Sequence, residues 1–326
     1  MASNSPVLTV VGDLGVDLVM GPLAQWPHAG TETIMERSEL RAGGSAGNTA
    51  LAVHFLGGRS RLISAVGKDD FGTWLAAQLR GLDTSLHVCN SATTVTVGFL
   101  HADGERTFFT TRGHLEEFAP AHARAQFRPA VHAGAIALFS GPFLTPALRR
   151  DYPQLMAELR ALGYEIALDT GWPVAGWSPA LRGEILEWVG QCSHVLLNEL
   201  EVTSLAGETD LASAMRKVER HLAPGATLVA KAGAKGAIGI QAGSTAQAAA
   251  RDANVFDTVG AGDSFNAGYL LARAGGAGLV QALQAGCTAA TSIIARFPRR
   301  GIVAGEFERL LSPTSTGDAT PVREDA

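Results

Sequence analysis

The sequence predicts an α/β fold, with a mostly parallel sheet covered by helices on both faces and a small second β-sheet. Three observations lead to this prediction. Short apolar runs recur along the chain, helical patterns lie between several of them, and two segments rich in Thr, Val and Phe interrupt this alternation. Strands that alternate with helices pair in parallel, because each helix returns the chain to the same edge of the sheet.

The apolar runs are short and closed by turn residues, which is typical of buried strands. They predict strands over 7–11, 61–66, 135–139, 165–168, 194–197 and 227–230. Apolar residues at helical spacing lie between these strands. They predict helices over 70–82, 145–162, 181–189 and 211–222.

The two interrupting segments, 31–40 and 93–111, predict strands without intervening helices. The second contains a turn sequence at 102–105, which predicts a hairpin. Such strands do not easily join a parallel sheet. We therefore expect them to form a small flap over the carboxyl ends of the large sheet, where a lid would exclude water. The polar, turn-rich end of the chain, 312–326, predicts a flexible tail.

Composition excludes several classes of protein. A chain of 326 residues corresponds to two domains, or to one large domain with an insertion. The formal net charge of −5 provides no basic surface for nucleic acid. Three widely spaced cysteines argue against a disulfide framework or a zinc site. No segment is typical of a signal peptide or a membrane span. We expect a cytoplasmic protein without nucleic-acid or membrane partners.

The strongest local signal is the segment 257–268, in which Gly260, Ala261 and Gly262 precede a predicted helix over 263–274. A turn with almost no side chains at a helix N-terminus presents backbone N–H groups and the positive end of the helix dipole. That combination binds phosphate or a developing anion. Asp263 at the start of this helix is either a reacting carboxylate or an ordinary N-cap.

A second glycine-rich segment, 41–50, also leads into a predicted helix. The backbone at Gly43 and Gly44 is open to close approach, and Asn48 offers a donor and an acceptor. The pattern suits a polyhydroxylated ligand, or a tight loop that packs a helix on the sheet. The sequence contains neither a Walker-type phosphate loop nor the glycine fingerprint of dinucleotide-binding folds, so those nucleotide sites are excluded.

Together these two segments resemble the signatures of the pfkB, or ribokinase-like, family of carbohydrate and nucleoside kinases. The resemblance runs from Val10 to about Arg296 and includes further marks at 66–72, 103–106, 198–201 and 233–236. It implies a three-layer ribokinase-like core with a β lid. One kinase domain would span 1–311, with the lid strands within about 14–40 and 93–112. It also implies transfer of the γ-phosphoryl group of ATP to a hydroxymethyl oxygen.

The resemblance assigns roles to particular residues. Asp263 is implied as the catalytic base, and Gly260, Ala261 and Gly262 as the anion hole. The helix N-terminus is expected to keep the Asp263 carboxylate ionised at neutral pH.

For the nucleotide, the resemblance implies Asn198 and three residues of one loop: Lys231, Gly233 and Gly236. Gly260 and Gly262 of the anion hole also belong to this site. Glu201 is implied at Mg²⁺, largely through water. Asp257 is the residue implied at a K⁺ ion.

On the acceptor side, the implied residues come from the first strand, the second motif and the lid: Asp17, Gly43, Gly44, Asn48, Arg106 and Arg112. The chain departs from the ribose-binding members at Gly15 and Ser45, and the segment 139–143 lacks a Glu that they use. These departures argue against ribose as the natural acceptor, and the expected substrate is a small sugar or a sugar-like alcohol. A nucleoside is the alternative, favoured by Phe99, Phe108 and Phe109 in the lid. A non-catalytic sugar sensor is the third possibility, and pairing of two copies through the lid is expected by analogy.

Overall fold

The computed structural model describes residues 7–102, 105–253 and 257–296, and within these ranges the chain forms two sheets and ten α-helices. The large sheet has nine strands. In spatial order they are β13 (Ser244–Ala248), β12 (Ala237–Gln241), β11 (Thr227–Lys231), β10 (His194–Asn198), β9 (Glu165–Asp169), β8 (Ile136–Ser140), β1 (Leu8–Gly12), β4 (Ser60–Gly67) and β5 (Asp83–Cys89).

The pairing in this sheet is parallel from β11 to β5, and only the β11–β12 and β12–β13 pairs are antiparallel. The small sheet has four strands. In spatial order they are β3 (Arg37–Gly43), β2 (Gly15–Leu23), β6 (Val95–His101) and β7 (Arg106–Thr110). The predicted combination of a mostly parallel sheet with a second small sheet is confirmed.

Helices cover both faces of the large sheet. They are α1 (Ser45–Phe55), α2 (Asp70–Gln78), α3 (Pro120–Arg124), α4 (Pro146–Arg149), α5 (Tyr152–Ala161), α6 (Pro179–Val189), α7 (Glu199–Ala206), α8 (Leu211–Glu219), α9 (Ala261–Ala274) and α10 (Leu279–Ile294). Alternate strand residues enter two separate buried clusters: Val10 packs with α1, α9 and α10, and Val11 packs with α5, α6 and α8. This alternation is the period of two of a β-strand that is buried on both faces.

Several predicted elements have different bounds. The strand predicted over 31–40 was wrong in its first half: residues 24–36 form no strand, Ile34 is 93% exposed, and β3 begins at Arg37. The helix predicted over 145–162 is two helices, α4 and α5. Pro153 lies in the first turn of α5, where its missing N–H costs nothing, and the chain turns just before it.

The segment 66–72, one of the marks of the resemblance, has a structural explanation. Asp69 caps α2 by accepting a hydrogen bond from Gly72 N at 2.8 Å, and its other oxygen accepts one from Thr93 N at 2.7 Å. A Cβ at Gly72 would lie 1.9 Å from the carbonyl oxygen of Gly67. These residues join the end of β4 to the segment that leads into β6, and so position the small sheet.

Two further observations concern predictions from composition. Cys89, Cys192 and Cys287 are buried free thiols. Within the described residues, no helix is long and apolar enough to cross a membrane. The predicted tail at 312–326, and residues 103 and 104 of the predicted hairpin turn, lie outside the described residues. The strands on either side of that turn, β6 and β7, do pair antiparallel.

Candidate active site

Charged and polar side chains collect at the carboxyl edge of the large sheet. Asp13 follows β1, and three strands end in a polar residue at this edge: β9 in Asp169, β10 in Asn198 and β11 in Lys231. Because these strands are parallel, their carboxyl ends meet at one edge. That edge is where α/β sheets bind ligands.

The N-terminus of α9 faces this edge. The geometry there decides whether Asp263 is an N-cap or a carboxylate that is free to react. The N-cap position belongs to Gly260, in the left-handed conformation with φ +74°, and no side chain caps the helix. Asp263 is the third residue of α9, and its Oδ2 accepts a hydrogen bond from Asn48 Nδ2 at 3.1 Å. Asp263 is therefore not a cap. Ala261 N donates to Thr258 O at 3.1 Å, so the N–H groups of Gly262 and Asp263 are the first-turn donors that can face a ligand.

The Asn48–Asp263 hydrogen bond connects the two glycine-rich segments, which lie 215 residues apart in sequence. Asn48 is in α1, whose N-cap is Gly44 with φ +81° and no side-chain cap. A Cβ at Gly44 would lie 2.7 Å from the carbonyl oxygen of Asp13, so the chain here requires glycine. The N-termini of α1 and α9 thus open onto one site.

Lys231 places a positive charge beside the turn formed by Gly260, Ala261 and Gly262, which we call the bare turn. Its Nζ donates hydrogen bonds to Asp169 Oδ2 at 2.7 Å and to Asn266 Oδ1 at 3.2 Å. A Cβ built on Gly262 would lie 3.4 Å from the same Nζ. Burial disfavours the ammonium, but Asp169 and Glu201 outweigh it, and the pKa of Lys231 is raised.

The carboxyl groups of the site have raised pKa values. Burial raises the pKa of Asp13 to about 6, although the backbone N–H groups of Ala46 and Ser45 oppose the shift. Burial and the charge of Asp169 raise the pKa of Asp263 well above its usual range, against Lys231 and Asn48. The expectation that the helix N-terminus holds Asp263 ionised therefore has the wrong direction, because desolvation and like charges dominate.

Asn198 and Glu201 form a capping box at the start of α7. Glu201 N donates to Asn198 Oδ1, and Asn198 N donates to Glu201 Oε2, both at 2.8 Å. Glu201 is 4% exposed. Burial, with the charge of Asp169, raises its pKa to about 7. This carboxyl group therefore caps a helix and also belongs to the electrostatic cluster around Lys231.

Asp17 lies on β2 of the small sheet and is buried. A Cβ at Gly43 would overlap the Asp17 carboxylate, with all three of its atoms within 2.3 Å, so the carboxylate lies directly against the Gly43 backbone. The structure thus brings Asp17 against Gly43, next to the start of the helix whose Asn48 contacts Asp263.

Other predicted residues are not brought into this cluster. Arg106 is exposed on β7. Arg112 has a side chain that is 89% exposed and forms a surface ion pair with Glu116 at 3.2 Å. Gly233 and Gly236 lie in the turn between β11 and β12. Gly236, at φ +96°, is required by the fold, because a Cβ there would lie 2.0 Å from Ala248 O.

The structure pairs Asp257, predicted at a K⁺ ion, with a cation of the protein. Its Oδ2 accepts a hydrogen bond from Arg41 Nη1 at 2.8 Å, and its Oδ1 accepts one from Val259 N at 2.8 Å. Both carboxylate oxygens therefore already accept a hydrogen bond from the protein, and the cation paired with this carboxylate is the guanidinium of Arg41. Most of the later segment expected to complete a K⁺ site, 297–301, lies outside the described residues.

Four residues of this region were missed by the sequence reasoning: Asp13, Arg41, Asp169 and Asn266. Asp13 and Asp169 do carry a signal, since each is an Asp at or just after the end of a buried strand. Arg41 and Asn266 have none, because their partners lie 216 and 97 residues away.

Comparison with known proteins identifies the family of this chain. Residues 8–297 match the family model described as pfkB family carbohydrate kinase. A fructokinase of Klebsiella pneumoniae is 30% identical over 279 residues, which cover 80% of this chain and 82% of that protein. The chain belongs to the pfkB family of carbohydrate kinases, and the predicted enzyme class, an ATP-dependent carbohydrate kinase, is confirmed.

Solved structures show the same fold. The ribokinase of Arabidopsis thaliana, complexed with ribose and ATP, superposes with a TM-score of 0.74 at 21% identity, covering 95% of this chain and 100% of that one. The adenosine kinase of Sinorhizobium meliloti superposes with a TM-score of 0.76 at 22% identity, covering 94% and 99%. Sugar and nucleoside kinases thus share this architecture.

Proposed function

We propose that this chain transfers the γ-phosphoryl group of ATP to a hydroxymethyl oxygen of a small sugar or sugar-like alcohol. The observation that carries the proposal is the hydrogen bond between Asn48 and Asp263. This hydrogen bond joins the segment at Gly43 and Gly44, whose backbone a ligand can approach closely, to the N-terminus of α9. Lys231 lies beside that N-terminus. Acceptor and phosphate would then meet at the Asp263 carboxylate.

In this reaction the Asp263 carboxylate accepts the proton of the acceptor hydroxyl as its oxygen attacks the γ-phosphorus. The new O–P bond forms while the bond to the bridging oxygen of ADP breaks, and ADP leaves with that electron pair. A carboxylate with a raised pKa is a stronger base than an ordinary one, and it works best when its pKa approaches the operating pH.

Charge on the transferring group would be stabilised by the bare turn. Gly260, Ala261 and Gly262 bring no side chain larger than a methyl group, and the N–H groups of Gly262 and Asp263 are donors at the positive end of the helix dipole. The Lys231 ammonium adds a full charge beside Gly262. Such fixed donors need no reorganisation during the reaction, so they lower the barrier to phosphoryl transfer.

The residues present fit Mg²⁺ and the nucleotide. Glu201 and Asp169 are neighbouring carboxyl groups in an acidic cluster whose like charges raise pKa values, and a divalent cation would relieve that repulsion. The described residues contain no group of three or more His, Cys, Asp or Glu side chains able to cage a metal. Mg²⁺ usually keeps several waters, so these two carboxylates would hold it largely through them. Bound Mg²⁺ supplies neutralisation of phosphate charge.

The remaining nucleotide contacts are proposed for Asn198 and for the loop that carries Gly233 and Gly236. On the acceptor side, Asp17 offers two carboxylate oxygens to paired hydroxyls. Arg106 and Arg112 would reach the substrate only if the small sheet moves toward the site, since both are exposed.

Of the three phenylalanines that favour a nucleoside, only Phe108 shares a face of the small sheet with Asp17. The register pairs Asp17 with Thr96, Thr96 with Thr110 and Gly98 with Phe108, and alternate residues share a face. Phe99 and Phe109 lie on the opposite face and contact Trp26. This arrangement favours a sugar over a nucleoside as the acceptor, because only one of the three rings lies on the face that could pack against a base.

The experiment is ADP release measured against panels of ketoses, pentoses and nucleosides, with the wild type and Asp263→Asn. Removing the base should lower kcat by roughly 10²–10⁴-fold. Asp70→Asn is the matched control, because Asp70 is an exposed carboxylate in the first turn of α2. Undiminished turnover by Asp263→Asn would refute the proposed base.

The substrate panel separates the alternatives. Turnover with sugars supports the proposal, and turnover confined to nucleosides would replace it with a nucleoside kinase. Sugar binding by calorimetry without ADP release from any acceptor would indicate a sensor.

We also propose that two copies pair through the small sheet. The face opposite Asp17 carries large apolar side chains that are about half exposed, with Trp26 at 55% and Phe109 at 50%. Exposed apolar patches of this kind mark contact surfaces. Sedimentation of the wild type and of a Trp26→Ser, Phe109→Ser variant tests this pairing. A wild type that sediments as a monomer would refute it.

A further inference from the structure

Arg41 is a buried arginine at the junction of the two sheets. Its side chain is 10% exposed, and its Nη1 contacts Asp257 Oδ2 at 2.8 Å and Glu39 Oε2 at 3.2 Å. Its Nε and Nη2 are also buried, without a hydrogen-bond partner among the described residues. The guanidinium is therefore enclosed and dehydrated, with the Asp257 carboxylate as its shortest contact.

The ion pair joins two segments that the proposed reaction uses. Arg41 is on β3, two residues before Gly43, and it pairs in register with Asp17 on β2. Asp257 is three residues before Gly260, and its Oδ1 accepts the hydrogen bond from Val259 N that shapes the bare turn. This one ion pair therefore links β3, which carries Gly43 of the proposed acceptor site, to the bare turn at Gly260–Gly262, which we also call the anion turn.

The Asp257 carboxylate already has a cation of the protein as its partner. The Asp257 carboxylate is buried, with a side chain that is 4% exposed, and a buried carboxylate requires a compensating positive charge. The guanidinium provides that charge from within the chain. A K⁺ ion at the same carboxylate would have to displace a tethered cation whose own burial would then be uncompensated.

We propose that Arg41 is a positioning residue, a built-in cation that holds Asp257 and the anion turn, and that turnover is therefore independent of K⁺. This inference rests on the proposed function for its effect on rate. The charge pairing itself does not depend on which acceptor is phosphorylated. A guanidinium fixed by the fold holds the turn at any concentration of monovalent salt.

The first test compares the wild type in KCl and in tetramethylammonium chloride at equal ionic strength. We expect the kcat values in the two salts to agree within roughly twofold, because the protein does not need to bind K⁺ to reach its active conformation. Activation by KCl of roughly tenfold or more would overturn the proposal, and this test needs no variant to fold.

The second test removes the guanidinium. Arg41→Met should lose roughly 100-fold in kcat in tetramethylammonium chloride, as expected for a small misplacement of reacting groups. Arg41→Lys, which keeps the charge, should recover part of this loss, and Arg80→Met at an exposed arginine is the control. An Arg41→Met variant with the wild-type kcat in both salts would overturn the proposal.

A third measurement does not depend on activity. The melting temperature of Arg41→Met should rise in KCl relative to tetramethylammonium chloride, because the vacated carboxylate can then bind a small cation, while that of the wild type should not change. If no acceptor is ever phosphorylated, the proposed function fails, and this comparison still decides the pairing. A wild-type melting temperature that rises specifically in KCl would overturn it.

Discussion

Glutamine in place of Glu201 is expected to flatten the dependence of the free energy of unfolding on pH. Glu201 is buried, and its pKa is raised from 4.5 to about 7 by burial first and by the charge of Asp169 second. In the unfolded chain the carboxyl group returns to its ordinary pKa. The folded protein therefore holds this proton more tightly than the unfolded chain does, and the proton stabilises the fold.

The sign and size of the effect follow from linkage. A pKa raised on folding contributes stability that is complete below the unfolded value of 4.5 and is lost as pH rises through about 7. At about 1.36 kcal/mol per pH unit, the difference between these two values is worth roughly 3 kcal/mol. Most of that loss should occur between about pH 5 and pH 8.

Glutamine removes this titration and leaves the local structure in place. A capping box accepts Gln as well as Glu at its third position, so the contacts with Asn198 can be kept. Urea unfolding at several pH values between 5 and 8 gives the free energies. As pH rises across this range, the free energy of unfolding of the wild type should fall by roughly 3 kcal/mol more than that of Glu201→Gln.

The control is Glu199→Gln, since Glu199 lies in the same first turn of α7 with a side chain that is 42% exposed. The free energy of unfolding of Glu199→Gln should change with pH in the same way as that of the wild type. Parallel curves for the wild type and Glu201→Gln would refute the argument that burial raises this pKa.

Two further predictions concern the neighbouring segments. Asn48→Ala removes the hydrogen bond that favours ionised Asp263, so the acid limb of the pH profile of kcat/KM should move to higher pH. An acid limb at the wild-type position would show that Asn48 does not affect the pKa of the base. Gly236→Ala, at φ +96° with Ala248 O 2.0 Å from the new Cβ, should lower the free energy of unfolding by more than about 2 kcal/mol. Gly233→Ala, with no atom within 4 Å, should cost roughly 1 kcal/mol, and equal losses in urea unfolding would contradict this account.

Within the large sheet, the strands that the sequence predicts most directly are those whose burial is uniform. β8 is wholly buried, as are the first four residues of β10, so each reads as an apolar run. β5 and β13 lie at the two edges of the large sheet and mix exposed polar residues with a few buried ones. An edge strand buries less of its surface, so its sequence carries little of the pattern that a central strand shows.

The candidate site divides in a similar way. Gly260 to Gly262 and Asp263 could be recognised because a bare turn and the helix that follows it are local in sequence. The direction of the Asp263 pKa shift could not be recognised, because it depends first on burial and then on the charges of Asp169, Lys231 and Asp13, which lie in other parts of the chain.

The amino-acid sequence by itself determined the α/β class, the two glycine-rich helix starts and the chemical groups beside them, because each of these is encoded within a dozen neighbouring residues. Only the tertiary structure decided that Asn48 meets Asp263, that Arg41 meets Asp257, and that Lys231 is held by Asp169 and Asn266. Hydrogen bonds and ion pairs of this kind join segments far apart in the chain. Their strength depends on how completely the packed sheet and helices exclude water, which no local stretch of sequence specifies.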